Sequence, residues 1–211
     1  MVPICGRYSC LTEAEVIQIR EVVKDISLRI LNDELDDRPL YDGEVRPTNE
    51  APVIIHQGTG VISLENLRWG FSKWDGKGVI INARVETLQV KPMFSKVLQI
   101  GRCVVPAGEY YEWKKTGREN VKHFIKDKDS NLLFMAGLYR TAPDGIGREF
   151  VIITKDPDSE VEKVHDRMPV LLKVDQIEDW LSGTLSPDDI VKREFNMNVE
   201  PCDDEYVQLT L

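Results

Sequence analysis

The sequence has little cysteine, little histidine and no long hydrophobic run. Its 211 residues include four cysteines, far apart and without a Cys-x-x-Cys pair, and three histidines. So few cysteines cannot build a disulfide framework and are poorly spaced for zinc. We therefore expect no metal, no cofactor and a reducing, cytoplasmic environment. The short apolar runs predict no transmembrane helix, and the first residues lack the pattern of a secretory signal.

Length and charge set two further limits. A chain of this length has room for one sizeable core, so we expect a single domain and a monomer. The formal net charge of −9 argues against a basic coat for nucleic acid over the whole surface. An acidic protein can still contain a local positive groove, and net charge alone does not decide whether DNA is bound.

Residues 12–32 have the pattern of an amphipathic helix. Thr12 and Glu15 have the spacing of a capping box, and apolar residues then recur on one face as far as Asn32, the predicted stop. Residues 33–50 are rich in Asp, Glu, Pro and Gly and carry no period. They are predicted to form a loop, and loops of this length in compact domains are usually functional or mobile.

The rest of the chain is mostly strand-like. Short β-type runs bounded by Gly, Asp, Asn or Pro lie at 52–56, 60–69, 78–82, 102–113, 122–127, 132–139 and 149–154. Residues 85–99 are predicted as helical pieces interrupted by Pro92, and 175–183 and 186–195 as short helices. One helix, many strands and then small helices predict an α+β fold with a mainly antiparallel sheet.

Polar side chains lie at two places where strand-like runs end. Asn82 and Arg84 follow an apolar run, which is typical of a helix cap with a solvated arginine but also of a site built at a strand end. Glu112 lies between Tyr111 and Trp113. A carboxylate flanked by aromatics is a candidate for a raised pKa and for acid–base chemistry, and an outward-facing glutamate on a half-buried strand is an equal alternative.

Two further clusters have the same ambiguity. His165 precedes Asp166 and Arg167 in a predicted loop, where it could shuttle protons or form a surface ion-pair cluster. Trp69 and Trp74 lie among basic residues, a pattern that can stack on a single nucleic-acid strand, although aromatic clusters more often belong to a core. Together with Cys5 near the start of the chain, these positions supply a thiol, an amide, a carboxylate and an imidazole, the groups from which a site could be assembled on a sheet.

Several motifs, in order along the chain, resemble one protein family. They are Cys5-Gly6-Arg7-Tyr8, Arg46-Pro47-Thr48 with Ala51-Pro52, Trp69-Gly70-Phe71, Asn82-Ala83-Arg84-Val85-Glu86-Thr87, Arg102-Cys103, Pro106-Ala107-Gly108, Tyr111-Glu112-Trp113, Ala136-Gly137-Leu138-Tyr139, Thr154 and His165-Asp166-Arg167-Met168-Pro169. In these motifs the chain resembles the SRAP family, the SOS-response-associated peptidases. Each motif is weak alone, but their common order from residue 5 to about residue 182 is specific.

The resemblance implies a single α+β domain over residues 1–211, with a β-rich, barrel-like, mainly antiparallel sheet, peripheral helices, and residues 183–211 as an extension packed on the domain. It implies an enzyme that binds single-stranded DNA and links covalently to abasic sites, shielding them during replication. The family's catalytic residues fall on Cys5, Asn82, Glu112 and His165. Its DNA-contacting arginines fall on Arg7, Arg84 and Arg167, and we expect further DNA contacts from Arg46, Trp69, Trp74 and Thr154.

The chemistry of an N-terminal cysteine fits this reaction. An abasic site opens to an aldehyde, and a free terminal amine, with a reference pKa of about 7.7–8.0, is partly neutral and nucleophilic near pH 7. It would form a Schiff base, and the neighbouring thiol would close a thiazolidine ring. An internal cysteine offers only an amide nitrogen, which is not nucleophilic.

The printed sequence departs from this requirement because Met1-Val2-Pro3-Ile4 precedes Cys5. Either these residues are removed by proteolysis, or translation starts at position 4 and the upstream residues are an artefact of gene prediction. We favour the second explanation because it restores Met-Cys-Gly-Arg without further assumptions. A native product that begins Val-Pro-Ile would contradict both.

The same residues also fit two other functions. Cys5, His165 and Asn82 could form the nucleophile, base and orienting residue of an autoproteolytic cysteine peptidase, with residues 2–4 as its propeptide. Alternatively, if the residues before Cys5 are retained, the chain could bind single-stranded DNA without chemistry.

Overall fold

The computed structural model describes residues 6–26, 43–57, 61–202 and 207–209. Cys5, most of the predicted loop and the end of the predicted first helix lie outside these residues. Fifteen strands are labelled in chain order: β1 (Arg7–Ser9), β2 (Glu44–Val45), β3 (Glu50–Gln57), β4 (Val61–Trp69), β5 (Phe71–Ser72), β6 (Val79–Ile80), β7 (Asn82–Arg84), β8 (Arg102–Ala107), β9 (Tyr110–Thr116), β10 (Glu119–Asp127), β11 (Leu133–Thr141), β12 (Arg148–Lys155), β13 (Met168–Pro169), β14 (Met197–Pro201) and β15 (Val207–Leu209).

Five of these strands close into a barrel. The order is β11-β8-β3-β4-β12, and β11 also pairs with β12, which joins the two ends. All pairings in this ring are antiparallel except that of β4 with β12. β7 adds a second parallel pairing to β12, and β13 pairs antiparallel with β12, so that Thr154 lies between Arg84 and Pro169. The predicted α+β fold with a mainly antiparallel, barrel-like sheet is confirmed.

A second, smaller sheet has the order β14-β10-β9-β1-β2, with β15 also paired to β10. Its centre is the β9–β10 hairpin, in which Glu112 lies opposite His123. β1 pairs with β9 and β2 pairs with β1, so the first described residues of the chain are held against the middle of the sequence. Two strands of the predicted C-terminal extension, β14 and β15, therefore belong to this sheet.

The helices are short apart from the first: α1 (Glu13–Ile26), α2 (Pro92–Ser95), α3 (Val97–Ile100), α4 (Ser159–Glu162), α5 (Ile177–Ser182) and α6 (Pro187–Ile190). The predicted capping box at the start of α1 is present, since Thr12 Oγ1 accepts from Glu15 N at 3.3 Å and Thr12 N donates to Glu15 Oε2 at 2.7 Å. None of the described helices is long and apolar enough to span a membrane.

Strand residues alternate between two hydrophobic clusters. In β12, Val151 and Ile153 contact the cluster that packs against α1, α5 and α6, whereas Phe150 and Ile152 contact the cluster shared with the smaller sheet. The barrel strands are thus apolar on both faces, which explains their nearly continuous runs of Val, Ile and Leu. This second cluster also contains Tyr8 and Tyr110 of the smaller sheet, so it joins the two sheets.

Candidate active site

The smaller sheet brings the beginning of the chain next to Glu112. Arg7 is paired with Tyr111 and Tyr8 with Tyr110, so β1 runs antiparallel to β9 and the chain before Arg7 continues toward Glu112. Gly6, the first described residue, is buried. The predicted nucleophile Cys5 lies outside the described residues.

Glu112 and His165 come together although 53 positions separate them in the sequence. Glu112 is fully buried, and its Oε2 lies 3.9 Å from Nε2 of His165, whose side chain is 14% exposed. This distance is longer than a hydrogen bond but short enough for a charge on either group to stabilise the opposite charge on the other. The structure thus joins a strand of the smaller sheet to the loop that follows α4.

The Nδ1 atom of His165 has two neighbours with opposite preferences. The backbone N–H of Arg167 donates to it at 3.1 Å, which assigns the lone pair to Nδ1 and the proton of the neutral ring to Nε2, facing Glu112. The Asp166 carboxylate lies 3.0 Å from the same Nδ1 and is 85% exposed. Nδ1 therefore has one donor and one acceptor as neighbours.

Asn82, Arg84 and Thr154 lie on two neighbouring parallel strands. Asn82 of β7 is opposite Ile152 of β12, and Arg84 is opposite Thr154, so these residues project from the face that carries Ile152. Ile152 belongs to the same hydrophobic cluster as Tyr110, which shares a face of β9 with Glu112. Asn82 and Glu112 thus lie over one cluster. Thr154 is fully buried, and Arg84 is exposed.

Arg167 is bound by acceptors of its own chain. Its Nη1 and Nη2 donate to the two oxygens of Glu86 at 2.8 and 2.9 Å, Nη1 also contacts Asp156, and Nη2 donates to the carbonyl of Thr154 at 2.8 Å. The residue is only 6% exposed. Burial acts to raise the pKa of Glu86, but the hydrogen bonds and charges, chiefly from Arg167, outweigh burial and lower it. The structure shows Arg167 fastening β12, β13 and the turn after β7.

A second polar cluster lies on the other face of the smaller sheet. Arg7 shares its face with Tyr111 and Trp113, opposite to that of Glu112, and its guanidinium lies 4.8 Å from the centre of the Trp113 ring. Glu44 of β2 binds Arg7 through Oε2 at 3.1 Å and Lys122 through Oε1. Arg46, predicted to contact DNA, approaches the same Oε2 at 3.4 Å. We call Arg7, Glu44, Arg46 and Lys122 the Glu44 cluster.

The Glu44 cluster favours the charged form of the Glu44 carboxyl. Burial acts to raise the pKa of its carboxyl, but the hydrogen bonds and charges of Lys122 and Arg7 outweigh it and lower the pKa. The sequence alone does not predict Glu44 or Lys122 as site residues, because neither belongs to a recognisable motif. The only signal was the acidic loop position of Glu44 close to Arg46, which predicts no contact with residue 122.

The structure places Trp69 in the core, and its predicted contact with a base stays a prediction. Its ring is fully buried, its Nε1 donates to the carbonyl of Ile81 at 3.1 Å, and it stacks on Phe150 with ring centres 6.2 Å apart. Gly70 follows with φ of +112°, where an added Cβ would lie 2.8 Å from Val79, so the motif is a core turn. Trp74, in contrast, is 96% exposed between β5 and β6 and stays a candidate for stacking on a base.

Comparison with known proteins matches residues 4–208 to the family described as SOS response associated peptidase (SRAP). The abasic site processing protein YoqW of Bacillus subtilis (strain 168) is 35% identical over 188 residues, 85% of this chain and 80% of that protein. The abasic site processing protein YedK of Escherichia coli (strain K12) is 29% identical over 192 residues, 87% of this chain and 82% of that protein.

Solved structures show the same fold. A protein from Bacteroides thetaiotaomicron aligns with a TM-score of 0.75 at 23% identity, covering 95% of this chain and 93% of that chain. A phage-related protein from Bordetella bronchiseptica aligns with a TM-score of 0.73 at 21% identity, covering 95% of both chains. The match over nearly the whole length, the 35% identical relative and the ordered motifs establish that this chain belongs to the SRAP family.

Proposed function

We propose that this protein binds single-stranded DNA and links itself covalently to abasic sites through the amine and thiol of Cys5, shielding the lesion. The observation that carries the proposal is membership of the SRAP family together with relatives named abasic site processing proteins. The contact of a buried carboxylate with a half-buried imidazole, Glu112 with His165 at 3.9 Å, supports it with groups suited to proton transfer. The partner is DNA that contains abasic sites, and the protein acts as a cytoplasmic monomer.

The covalent steps balance with the loss of one water. The terminal amine adds to the aldehyde carbon, and the carbinolamine loses its oxygen as water to give a protonated imine. The thiolate then attacks the imine carbon, which forms the C–S bond and returns the electron pair to nitrogen. Because the two peptide units between Cys5 and Arg7 span at most about 7 Å, this reagent would react within reach of Glu112 and His165. The reaction requires a chain in which Cys5 is the first residue.

The other catalytic residues divide the proton transfers. Asn82 holds the amine or a sugar oxygen by neutral hydrogen bonds. The imidazolium of His165 donates a proton from Nε2 to the ring oxygen of the sugar and becomes neutral, while the anomeric hydroxyl loses its proton to water, which opens the sugar to the aldehyde. Glu112 accepts and returns a proton during dehydration of the carbinolamine. The Glu112 side chain is fully buried and that of His165 is 14% exposed, which limits competition from bulk water.

The DNA contacts are assigned to Arg84 and Trp74 and, on the face of the smaller sheet opposite to Glu112, to Arg7 and Arg46 of the Glu44 cluster. Arg7, Arg46 and Arg84 have exposed or half-exposed guanidinium groups suited to phosphates, and Trp74 has an exposed ring suited to a base. Arg167 and Thr154 form the wall of the site, and a direct contact of either with DNA stays a prediction. Because these contacts are ionic, affinity should fall as salt is added.

The test compares three chains on single-stranded DNA with one abasic site, analysed on a denaturing gel. The chains are the printed sequence, a version that starts Met-Cys5 and loses its methionine, and that version with Cys5→Ala. We expect a heat-stable crosslink from the second chain and none from the third. Intact mass spectrometry fixes the first residue of each product. A stable crosslink from a chain that retains Val2 would contradict the aminothiol mechanism, and a printed chain that matures to begin at Cys5 would support autoproteolysis.

Variants of the Met-Cys5 chain test the proton-transfer residues on the same gel. Glu112→Gln and His165→Gln should each slow crosslinking by roughly a hundredfold or more, since general acid–base catalysis contributes effects of this size. His56→Gln removes a half-buried histidine of β3 and is the matched control, expected to react like the parent. Unchanged rates in both site variants would remove this pair from the mechanism.

A further inference from the structure

The Glu44 cluster contains an anion held by three cations. One carboxylate oxygen of Glu44 lies 3.1 Å from Arg7 and 3.4 Å from Arg46, and the other contacts Lys122. Carboxylate and phosphate oxygens accept hydrogen bonds from arginine in the same fork geometry, and a lysine ammonium serves either anion. Glu44 therefore lies where a phosphate with the same donors would lie.

The three cations differ in their access to solvent. The side chains of Arg46 and Arg7 are 59% and 26% exposed, whereas Lys122 and Glu44 are 6% and 14% exposed. Lys122 is covered, with its Nζ 3.9 Å from the centre of the Tyr111 ring. Lys122 is thus the covered cation of the cluster, and the two arginines are the cations that solvent reaches. An arriving anion would meet the arginines and compete with Glu44 for them.

We infer that Glu44 is an internal substitute for a DNA phosphate, which occupies Arg7 and Arg46 and keeps the binding of undamaged single-stranded DNA weak. The inference rests on the proposed function, because it presupposes that DNA approaches this face. Phosphates pulled toward the site by an abasic lesion displace the arginines from Glu44, whereas intact DNA, without that covalent capture, exchanges rapidly. Glu44 thus acts on specificity, through the arginines, without touching the reacting atoms.

Two variants test the competition. Glu44→Gln removes the charge. The double variant Glu44→Gln with Lys122→Met removes both members of the covered pair, so it leaves no unpaired buried charge and keeps the net charge of the parent. Glu65→Gln is the matched control, because Glu65 of β4 is a partly buried carboxylate paired with Arg148 at 2.7 Å in the other sheet. Thermal unfolding checks that each variant is folded.

The readout is the anisotropy of a fluorescent oligothymidylate without abasic sites, titrated over a range of salt concentrations. Both Glu44 variants should bind roughly threefold to tenfold more tightly than the parent at low salt. The slope of log affinity against log salt should steepen by about 0.7 for each phosphate gained. Glu65→Gln should leave the slope unchanged. Crosslinking to an abasic strand, measured in competition with intact DNA, should become less selective in the Glu44 variants.

The outcomes separate the inference from the function on which it rests. If the parent crosslinks to abasic DNA but the folded double variant binds intact DNA no more tightly, with an unchanged or shallower slope, Glu44 only positions Arg7 and the inference is wrong. If the variants bind more tightly but no chain crosslinks, the inference stands and the proposed chemistry fails. If neither parent nor variants bind single-stranded DNA, both are overturned.

Discussion

The guanidinium of Arg167 contacts Glu86, after β7, and Asp156 and the Thr154 carbonyl, at the end of β12, so it joins two distant segments of the chain. A sequence motif with an arginine after His-Asp predicts a phosphate ligand as readily as an internal clamp, because both uses need the same fork of N–H donors. With 6% of its surface exposed, Arg167 is an internal clamp in this structure and positions the backbone N–H that donates to His165. Its contact with DNA stays a prediction.

Glu86→Gln tests this clamp through its pH dependence. The folded-state pKa of Glu86 is lowered from an ordinary value of 4.5, so its ion pair stabilises the fold fully above pH 4.5 and is lost as the pH falls through the lowered value. Because the carboxylate is 46% exposed, the loss at pH 7 should be only about 0.2–1 kcal/mol. Urea denaturation at pH 7 and near pH 3 measures it. An equal loss at both pH values would show that charge is not the cause.

At the scale of elements, the first helix is an example of local sequence deciding local structure. Thr12 and Glu15 exchange hydrogen bonds at the start of α1, as their spacing predicts. The predicted strand at 102–113, in contrast, is two strands, β8 and β9. The break is at Gly108 and Glu109, whose backbone N–H groups donate to Ser9 Oγ at 3.1 and 3.0 Å. That acceptor lies about 100 positions away, beyond any local pattern.

Thr12→Ala tests the start of α1. It removes the side-chain oxygen that accepts from Glu15 N, and loss of such a cap should reduce the free energy of unfolding by about 1 kcal/mol. Gln18→Ala, at an exposed position within the same helix, is the control and should change stability by a few tenths of a kcal/mol at most. Chemical denaturation followed by circular dichroism measures both. Equal stability of the two variants would mean that the cap contributes nothing.

At the scale of the whole molecule, the barrel closes where β11 lies between β8 and β12. Gly137 of β11 is opposite Cys103 and Ile152. A Cβ added there would lie 2.8 Å from Cys103 Sγ and 2.8 Å from the carbonyl of Val151, closer than such atoms can approach. Closure of the barrel thus requires glycine at position 137. Burial raises the pKa of the adjacent Cys103 thiol, which keeps the thiol neutral.

Gly137→Ala should therefore destabilise the fold by about 1–3 kcal/mol, the usual effect of overpacking, measured by urea denaturation. Gly117→Ala provides the comparison, since Gly117 has φ of +63° and no neighbour within 4 Å of an added Cβ. Its effect is limited to backbone strain of about 1 kcal/mol. If Gly137→Ala is the less disruptive of the two, the strands are not packed as closely as the structure indicates.

The sequence by itself determined the first helix and its cap, most strand segments, the α+β class and the family, since these follow from periodicity, turn residues and short ordered motifs. It also singled out Asn82 and Glu112, because a polar group at the end of an apolar strand is locally expensive, and His165, because it is a loop histidine beside an aspartate and an arginine. It could not separate Trp69 from Trp74, since both have similar neighbours in the chain while one is fully buried and the other 96% exposed.

Only the tertiary structure decided which of these residues meet. The contact between Glu112 and His165, the clamp around Arg167 and the Glu44 cluster all join positions that are tens of residues apart. Hydrogen bonds and ion pairs act over a few ångströms in space, and separation along the chain says nothing about that distance until the barrel and the smaller sheet have packed together. Whether an arginine is free for a phosphate or bound to a carboxylate of its own chain is a property of the folded molecule.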